Sequence, residues 1–404
     1  MTADPQFKRG PLSDLRVLEL GTLLAGPFCG QLLGDMGAEV IKIEPPGQGD
    51  PMRAWGRQKA GEPSLWWPVV ARNKKAITLD MRQAEGQSVF KELVKSADFV
   101  LENFRPGTME KWGCGYEELS KINPKLIMIR VSGYGQTGPY SHQAGFGAIG
   151  EAMGGLRYVV GDPSTPPSRM GISIGDELAA TFACLGALSA LHYREKTGRG
   201  QVVDSAIYEA VLAMMESLVT EFDKTGYIRE RTGAILPNVA PSNVYKTSDG
   251  LVLIAANQDT VFGRLCEAMG QREWPKDERF VNHQARGANQ KLLDGLIEAW
   301  TQTLTTREVL GLMDKFGVPA GQIYRAPEML EDPHFKARDA IVKTQHPYFG
   351  ELRMQNVAPK LSESPGGIRS SAPTELGEHN DEVYSRLLGF DAARLAALRS
   401  AKVI

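Results

Sequence analysis

Over its first 135 residues the chain switches repeatedly between a two-residue and a 3.6-residue hydrophobic period. No other feature restricts the fold as much. Leu15–Leu20 reads as a strand, Gly26–Met36 as a helix stopped by Gly37, and Ala38–Glu44 as a second strand. Ala76–Met81, Asp98–Phe104 and Leu126–Ser132 are further strands, with helical stretches at Glu85–Lys95 and Tyr116–Ile122. Such alternation predicts βαβ units, right-handed crossovers and an α/β architecture with a mainly parallel sheet. Ligands of open parallel sheets bind beyond the carboxyl ends of the strands. Attention therefore falls on Gly21–Pro27, Pro45–Asp50, Asn103–Gly107 and Gly133–Tyr140.

The pattern then changes. A long apolar helix is expected over Asp176–Lys196, ending at Gly198, then a short strand at Gln201–Asp204 and one helix over Ser205–Glu221. Turn-rich sequence from Lys224 to Asp249 leads into an α+β stretch. It holds a strand at Leu251–Ala256, helices at Asp259–Met269, Lys291–Leu304 and Thr306–Phe316, and a return strand at Val318–Tyr324. A length of 404 residues fits two or three domains. The expected division is a large domain over 1–225, a small α+β domain over 226–328, and a C-terminal return to the large domain over 329–404.

Several function classes are disfavoured. Lys and Arg total 46 against 48 Asp and Glu, so the basic excess of a nucleic-acid binder is missing. Cys29, Cys114, Cys184 and Cys266 form no CxxC pair, which argues against a zinc site or disulfide scaffold and for a reducing compartment. The histidines show no HxH or HxxxH spacing, so no metal is expected. GxSxG and GxxxxGK[ST] are both absent. The N-terminus lacks the apolar core of a signal peptide. The longest apolar run, Leu178–Leu191, is 14 residues, short of a bilayer span. A cytoplasmic protein without membrane or nucleic-acid partners is the expectation.

The first loop, Gly21-Thr-Leu-Leu-Ala-Gly26-Pro27, is not GxGxxG. It reads equally as a tight strand-to-helix turn with Pro27 in the first helical turn or as a backbone wall for a nucleotide-like ligand. Asp176 follows Gly175 at a predicted helix start. It can be an N-cap, and a carboxylate kept ionised there can also attack an acyl group. Glu177 is adjacent but would point to another side of the helix. Basic residues gather near strand ends: Lys74 and Lys75, Arg82, Arg105 and Lys111. On a chain of net charge −2, this clustering favours a phosphate-bearing ligand over a merely solvated surface.

Taken together, LLAGPFCGQLLGDMGAEVIKIEPPGQGD (23–50), RNKKAITLDM (72–81), ENFRPGTMEKWG (102–113), SGYGQTGPY (132–140), REKTGRGQVVDSAIYEAVL (194–212) and LGEH (376–379) resemble the class III CoA-transferases and the related α-methylacyl-CoA racemases. The resemblance runs over nearly the whole chain. It implies a Rossmann-like large domain built from both chain ends, a smaller domain, and an obligate, ring-like interlocked homodimer. It implies Asp176 as nucleophile. It places CoA contacts on Leu24, Ala25, Leu79 through Arg82, Asn103, Phe104, Arg105, Lys111, Gly133, Tyr134 and Gly135, with Tyr134 and Gln136 positioning the acyl group. CoA and acyl-CoA would be substrates, with no tightly bound cofactor. Succinyl-CoA is the implied donor and a dicarboxylate the implied acceptor. Arg53, Arg157 and Arg169 are candidates for its distal carboxylate. Leu24 and Pro45 stand where the formate-using member has Gln and Arg, and its glycine-rich lid has no counterpart, which argues against formate or oxalate. A racemase would need a base where Phe146 stands, and Phe cannot move a proton. Racemase and non-catalytic CoA-binding paralogue are the alternatives.

Overall fold

Six strands form the spine of the larger of two units: β1 (Arg16–Glu19), β2 (Glu39–Glu44), β3 (Lys74–Thr78), β4 (Phe99–Glu102), β5 (Ile127–Ser132) and β6 (Val202–Ala206). The computed structural model describes residues 10–57 and 62–404. The strands lie in the order β3-β2-β1-β4-β5-β6 and every pairing is parallel. This is a doubly wound order. It reverses between β1 and β4, so the loops after those two strands border the ligand crevice.

Alternation along the strands sends side chains to two faces. Leu18, Ile41, Ile77, Val100 and Met128 face a core shared with Phe90, Leu93, Leu119, Tyr384 and Leu398. The helix Ala25–Asp35 packs on β1, β2, β4 and β5 and also on the long helix Ile174–Thr197. The long helix buries an alanine stripe, Ala179, Ala183, Ala187 and Ala190, and packs on β5 and β6. Length and composition alone would let it cross a membrane, but the helix packs on the sheet and on the helix Ala25–Asp35 with that stripe buried. The chain end returns over β3: Asp80 N–H donates to Val403 O at 2.8 Å and the Tyr384 hydroxyl to Thr78 O at 2.7 Å.

This unit comprises the chain up to Leu156, Met170–Thr220 and Lys336–Ile404. The last part carries the hairpin of strands Ile341–His346 and Gly350–Gln355. The second unit comprises Arg157–Arg169 and Glu221–Phe335. Its antiparallel sheet joins strands Ser242–Lys246, Leu251–Ala255 and Ala320–Gln322. Tyr245, Ile254, Phe262, Leu293, Ile297 and Met313 fill its core. Within it, the helix Thr306–Phe316 opens with a reciprocal Thr305/Glu308 capping box.

Two local expectations are corrected. The helix expected over 205–221 is two helices, Ile207–Leu212 and Leu218–Thr225. Glu216 between them has φ 52°, a left-handed conformation that a right-handed helix cannot continue through. The third strand begins at Lys74, ahead of the apolar run, because the Lys74 ammonium is ion-paired with Glu19 inside the sheet rather than solvated.

Candidate active site

The loop after β1 and the loop after β4 are locked together at the crevice. Thr22 N–H donates to Asn103 Oδ1 at 2.8 Å, and Asn103 Nδ2 donates to Thr22 O at 2.9 Å. The spacing of Gly21 and Gly26 now has a cause. A methyl group on Gly21 would meet Asn103 Oδ1 at 3.0 Å, and one on Gly26 would meet its Cγ at 3.2 Å. Asn103 therefore acts as a clamp on the loop, its amide engaged in both directions.

A buried charge cluster holds the same loop from below. Lys42 pairs with Asp50 at 2.6 Å and with Glu19 at 3.4 Å, and donates to Gly21 O. Lys74 pairs with Glu19 at 2.8 Å and donates to Pro27 O at 2.7 Å. Asp50 Oδ1 accepts from Leu23 N–H at 3.0 Å and Met52 N–H at 2.9 Å. Leu23 sits at φ 62°, a conformation that costs a branched residue about 1–3 kcal/mol and persists only where its surroundings impose it. Burial opposes ionisation of Asp50, but the Lys42 ammonium together with the Met52 and Leu23 N–H groups more than offsets it, and the carboxyl lies below its usual range. Burial likewise pulls Lys42 down, and Asp50, Glu19 and Glu44 together hold it above the usual lysine range.

Asp176 is not the N-cap of the long helix. Ser173 is, without a side-chain cap bond, and Asp176 occupies the third helical position. Its carboxylate rests on Gly147, the first residue of the helix Gly147–Met153. A methyl group at 147 would fall 2.3 Å from Asp176 Oδ2 and 2.7 Å from its Cγ, so only glycine leaves room. Gly175 is equally confined, 3.0 Å from Gly147 O and from Cγ of the buried Glu151 when a Cβ is placed on it.

The loop after β5 reaches the same place. Gly133 backs onto Gly145, and the Tyr134 ring lies 3.2 Å from where a Cβ on Gly145 would be. Tyr134 also meets Tyr140 edge-on at 5.9 Å. Gly135 takes φ +85° and donates to Ser132 Oγ at 3.0 Å. Gln136 N–H donates to Asp204 Oδ2 at 2.9 Å, while its Nε2 is enclosed without a hydrogen-bond partner among the described residues. Burial raises Asp204 above its ordinary range despite that bond. The segment Gly145-Phe146-Gly147 thus joins the Tyr134 loop to the Asp176 carboxylate, with Phe146 exposed between them.

The remaining sequence-named residues divide into two groups. Leu24 and Ala25 are buried at the start of the helix Ala25–Asp35, and Leu24 packs with Met52, Trp67 and Val70. The Leu79 side chain belongs to the core. Phe104 lies edge-on to Trp112 at 5.2 Å. Arg82 is exposed and bound to Asp80 at 2.8 Å. Arg105 and Lys111 are exposed and, among the described residues, outside any ion pair. The basic clustering is thereby thinned: Lys74 serves Glu19, and Lys75 serves Glu39 at 3.2 Å and also Glu382. Arg53 is taken by Glu44 at 2.8 Å and stacks on Trp67 at 4.0 Å. Arg157 and Arg169 belong to the second unit. Among the described residues no group of three or more metal-ligating side chains occurs. Sequence reasoning missed Gly147, Glu151 and the Glu19–Lys42–Asp50 cluster. Charged residues set inside the apolar strands LEL and IKI were the available signal.

A family model described as CoA-transferase family III matches residues 12–380. The chain belongs to that family. It is a CoA-transferase, an enzyme that moves CoA from an acyl-CoA to a carboxylic acid. It is 61% identical over 395 residues to succinyl-CoA–D-citramalate CoA-transferase of Chloroflexus aurantiacus, covering 98% of each chain. The beta subunit of succinyl-CoA–L-malate CoA-transferase from the same organism is 41% identical, with 98% of each chain covered. Among solved structures, a CAIB/BAIF family protein from Brucella suis superposes with a TM-score of 0.84 at 35% identity, covering 94% of this chain and all of that one (100%).

Proposed function

We propose that this family III transferase carries CoA from succinyl-CoA to citramalate or a close hydroxydicarboxylate, with Asp176 as the covalent carrier. The observation that carries the substrate reading is the 61% identity over 98% of both chains to the D-citramalate enzyme. The Asp176 carboxylate, seated on Gly147 beside the Tyr134 loop, supports the chemical reading.

An Asp176 oxygen attacks the succinyl carbonyl and expels CoA thiolate, leaving a mixed succinyl–aspartyl anhydride. The thiolate attacks the aspartyl carbonyl and releases succinate, giving an aspartyl–CoA thioester. The acceptor carboxylate attacks that carbonyl, expels CoA thiolate and forms a second anhydride. CoA thiolate then attacks the acceptor's carbonyl and frees the Asp176 carboxylate. The thioester's energy is conserved throughout, so the cycle needs neither ATP nor a resident cofactor. Backbone N–H groups of the helix start favour the ionised carboxylate and the oxyanions. Tyr134 and Gln136 border the acyl group. Arg105 and Lys111, exposed beyond β4, face the phosphates of CoA, and Arg82 joins them by exchanging its Asp80 contact. Leu24, Ala25, Leu79, Asn103, Phe104, Gly133 and Gly135 shape the pantetheine path, several through backbone alone.

The large unit is Rossmann-like, and the working enzyme is an interlocked cytoplasmic homodimer. Exposed Leu185, Leu188 and Met214 support that assembly. The test is incubation with succinyl-CoA and a panel of dicarboxylates, followed by mass spectrometry of the acyl-CoA products. Citramalyl-CoA is expected from wild type and none from Asp176→Ala. Wild-type turnover by Asp176→Ala would sink the covalent route.

A further inference from the structure

A cavity of about 320 Å³ opens beside the first loop, lined by Leu24, Phe28, Trp66, Val69 and, from the first turn of the long helix, Glu177. Gln31 and Gln355 also line it, and the rest of its wall is apolar. Glu177 follows the nucleophile, and successive helical side chains diverge by about 100°. The Asp176 carboxylate rests on Gly147, whereas Glu177 lines this cavity. Among the described residues no ion pair or hydrogen bond engages the Glu177 carboxyl. Burial alone acts on it and raises it above its ordinary range.

A half-buried carboxylate without a partner is costly to keep, and its oxygens want a donor. The Thr181 hydroxyl is turned to the Glu177 backbone carbonyl instead, at 2.8 Å. An uncharged hydroxyl would be accepted, with its carbon skeleton against Leu24 and Phe28.

We infer that Glu177 is a specificity residue: it accepts a hydrogen bond from the acceptor acid's 2-hydroxyl and so selects hydroxydicarboxylates over their deoxy analogues. This inference rests on the acceptor reading of the preceding section. A site built to bind a substrate hydroxyl discriminates strongly against the analogue that lacks it, because the buried partner is then left unpaired.

The test compares citramalate with 2-methylsuccinate, which differ only by that hydroxyl, in wild type, Glu177→Leu and the near-isosteric Glu177→Gln. The readout is the ratio of kcat/KM for the two acids with succinyl-CoA as donor. Wild type should favour citramalate. The ratio should fall about 10- to 100-fold in Glu177→Leu, the range of a hydrogen bond to a charged group. It should fall less in Glu177→Gln, whose carbonyl oxygen still accepts. An unchanged ratio in both variants, beside an active wild type, overturns the inference, as does an equal loss on both acids, which a purely structural role would give. Wild type that transfers CoA to neither acid overturns the acceptor reading and this inference with it.

Discussion

A methyl group on Gly147 would sit 2.3 Å from Asp176 Oδ2, inside any permissible contact. Gly147→Ala is therefore expected to displace the carboxylate while leaving the sheet intact. Misplacement of a reacting group by about 1 Å can cost about 10²-fold in rate. A kcat/KM reduced by that order, with a thermal midpoint shifted by only a few degrees, is the expected result. Steady-state kinetics beside a melting curve checks it, and a wild-type rate would refute the fit. Asp176 was legible as a candidate from its Gly-Asp pair near a helix start, but as an N-cap rather than at the third helical position it holds. Its seat was not, because Gly147 is 29 residues away in the chain and carries no chemistry of its own. Leu79 shows the converse: its position near a strand end was legible, but its side chain belongs to the core, so any ligand contact there comes through backbone.

At the scale of elements, the loop after β1 is held by charges that the sheet buries. Gly21 O is bound by Lys42, Thr22 by Asn103 and Leu23 N–H by Asp50. Breaking a buried pair from one side strands the other charge, at about 3–5 kcal/mol. Asp50→Asn is expected to lose stability of that order and to raise KM for succinyl-CoA more than it lowers kcat, since the loop relaxes from its left-handed Leu23. Adding Leu23→Gly should recover part of the loss. The pH dependence has a definite sign. Asp50 is depressed in the folded state, so its contribution is fully present above the unfolded value of about 4 and is lost as pH falls through the lower folded value. Urea titrations between pH 3 and 6 should show a shallower acid loss in Asp50→Asn than in wild type. Equal slopes would assign the acid dependence elsewhere.

For the molecule as a whole, the exposed apolar surface is the informative quantity. The helices Gly147–Met153, Ile174–Thr197 and Ile207–Leu212 pack on one another. They leave Ile149, Met153, Leu185, Leu188 and Leu212 outward, each at least 39% exposed. Clusters of this kind mark association surfaces. With the proposed homodimer built on this face, the double substitution Leu185→Glu/Leu188→Glu is expected to leave a monomer mass in light scattering and to remove the transferase rate. A variant that stays dimeric and active would move the interface to another face.

Strand–helix alternation and the parallel sheet were determined by the sequence itself, because hydrophobic period acts between neighbours in the chain. The parallel order with its reversal between β1 and β4 placed Gly21, Thr22 and Gly26 against Asn103, and only the fold could do so. Long-range packing also decided which cations stay available. Lys74 and Lys75 read as ligand-binding from the chain, but burial beside Glu19 commits Lys74 to an ion pair and the part-exposed Lys75 is taken by Glu39 and Glu382, while Arg105 and Lys111 remain exposed. A lysine's letter is the same in both settings. Whether it meets a phosphate or a neighbouring carboxylate depends on desolvation, and desolvation is a property of the assembled structure.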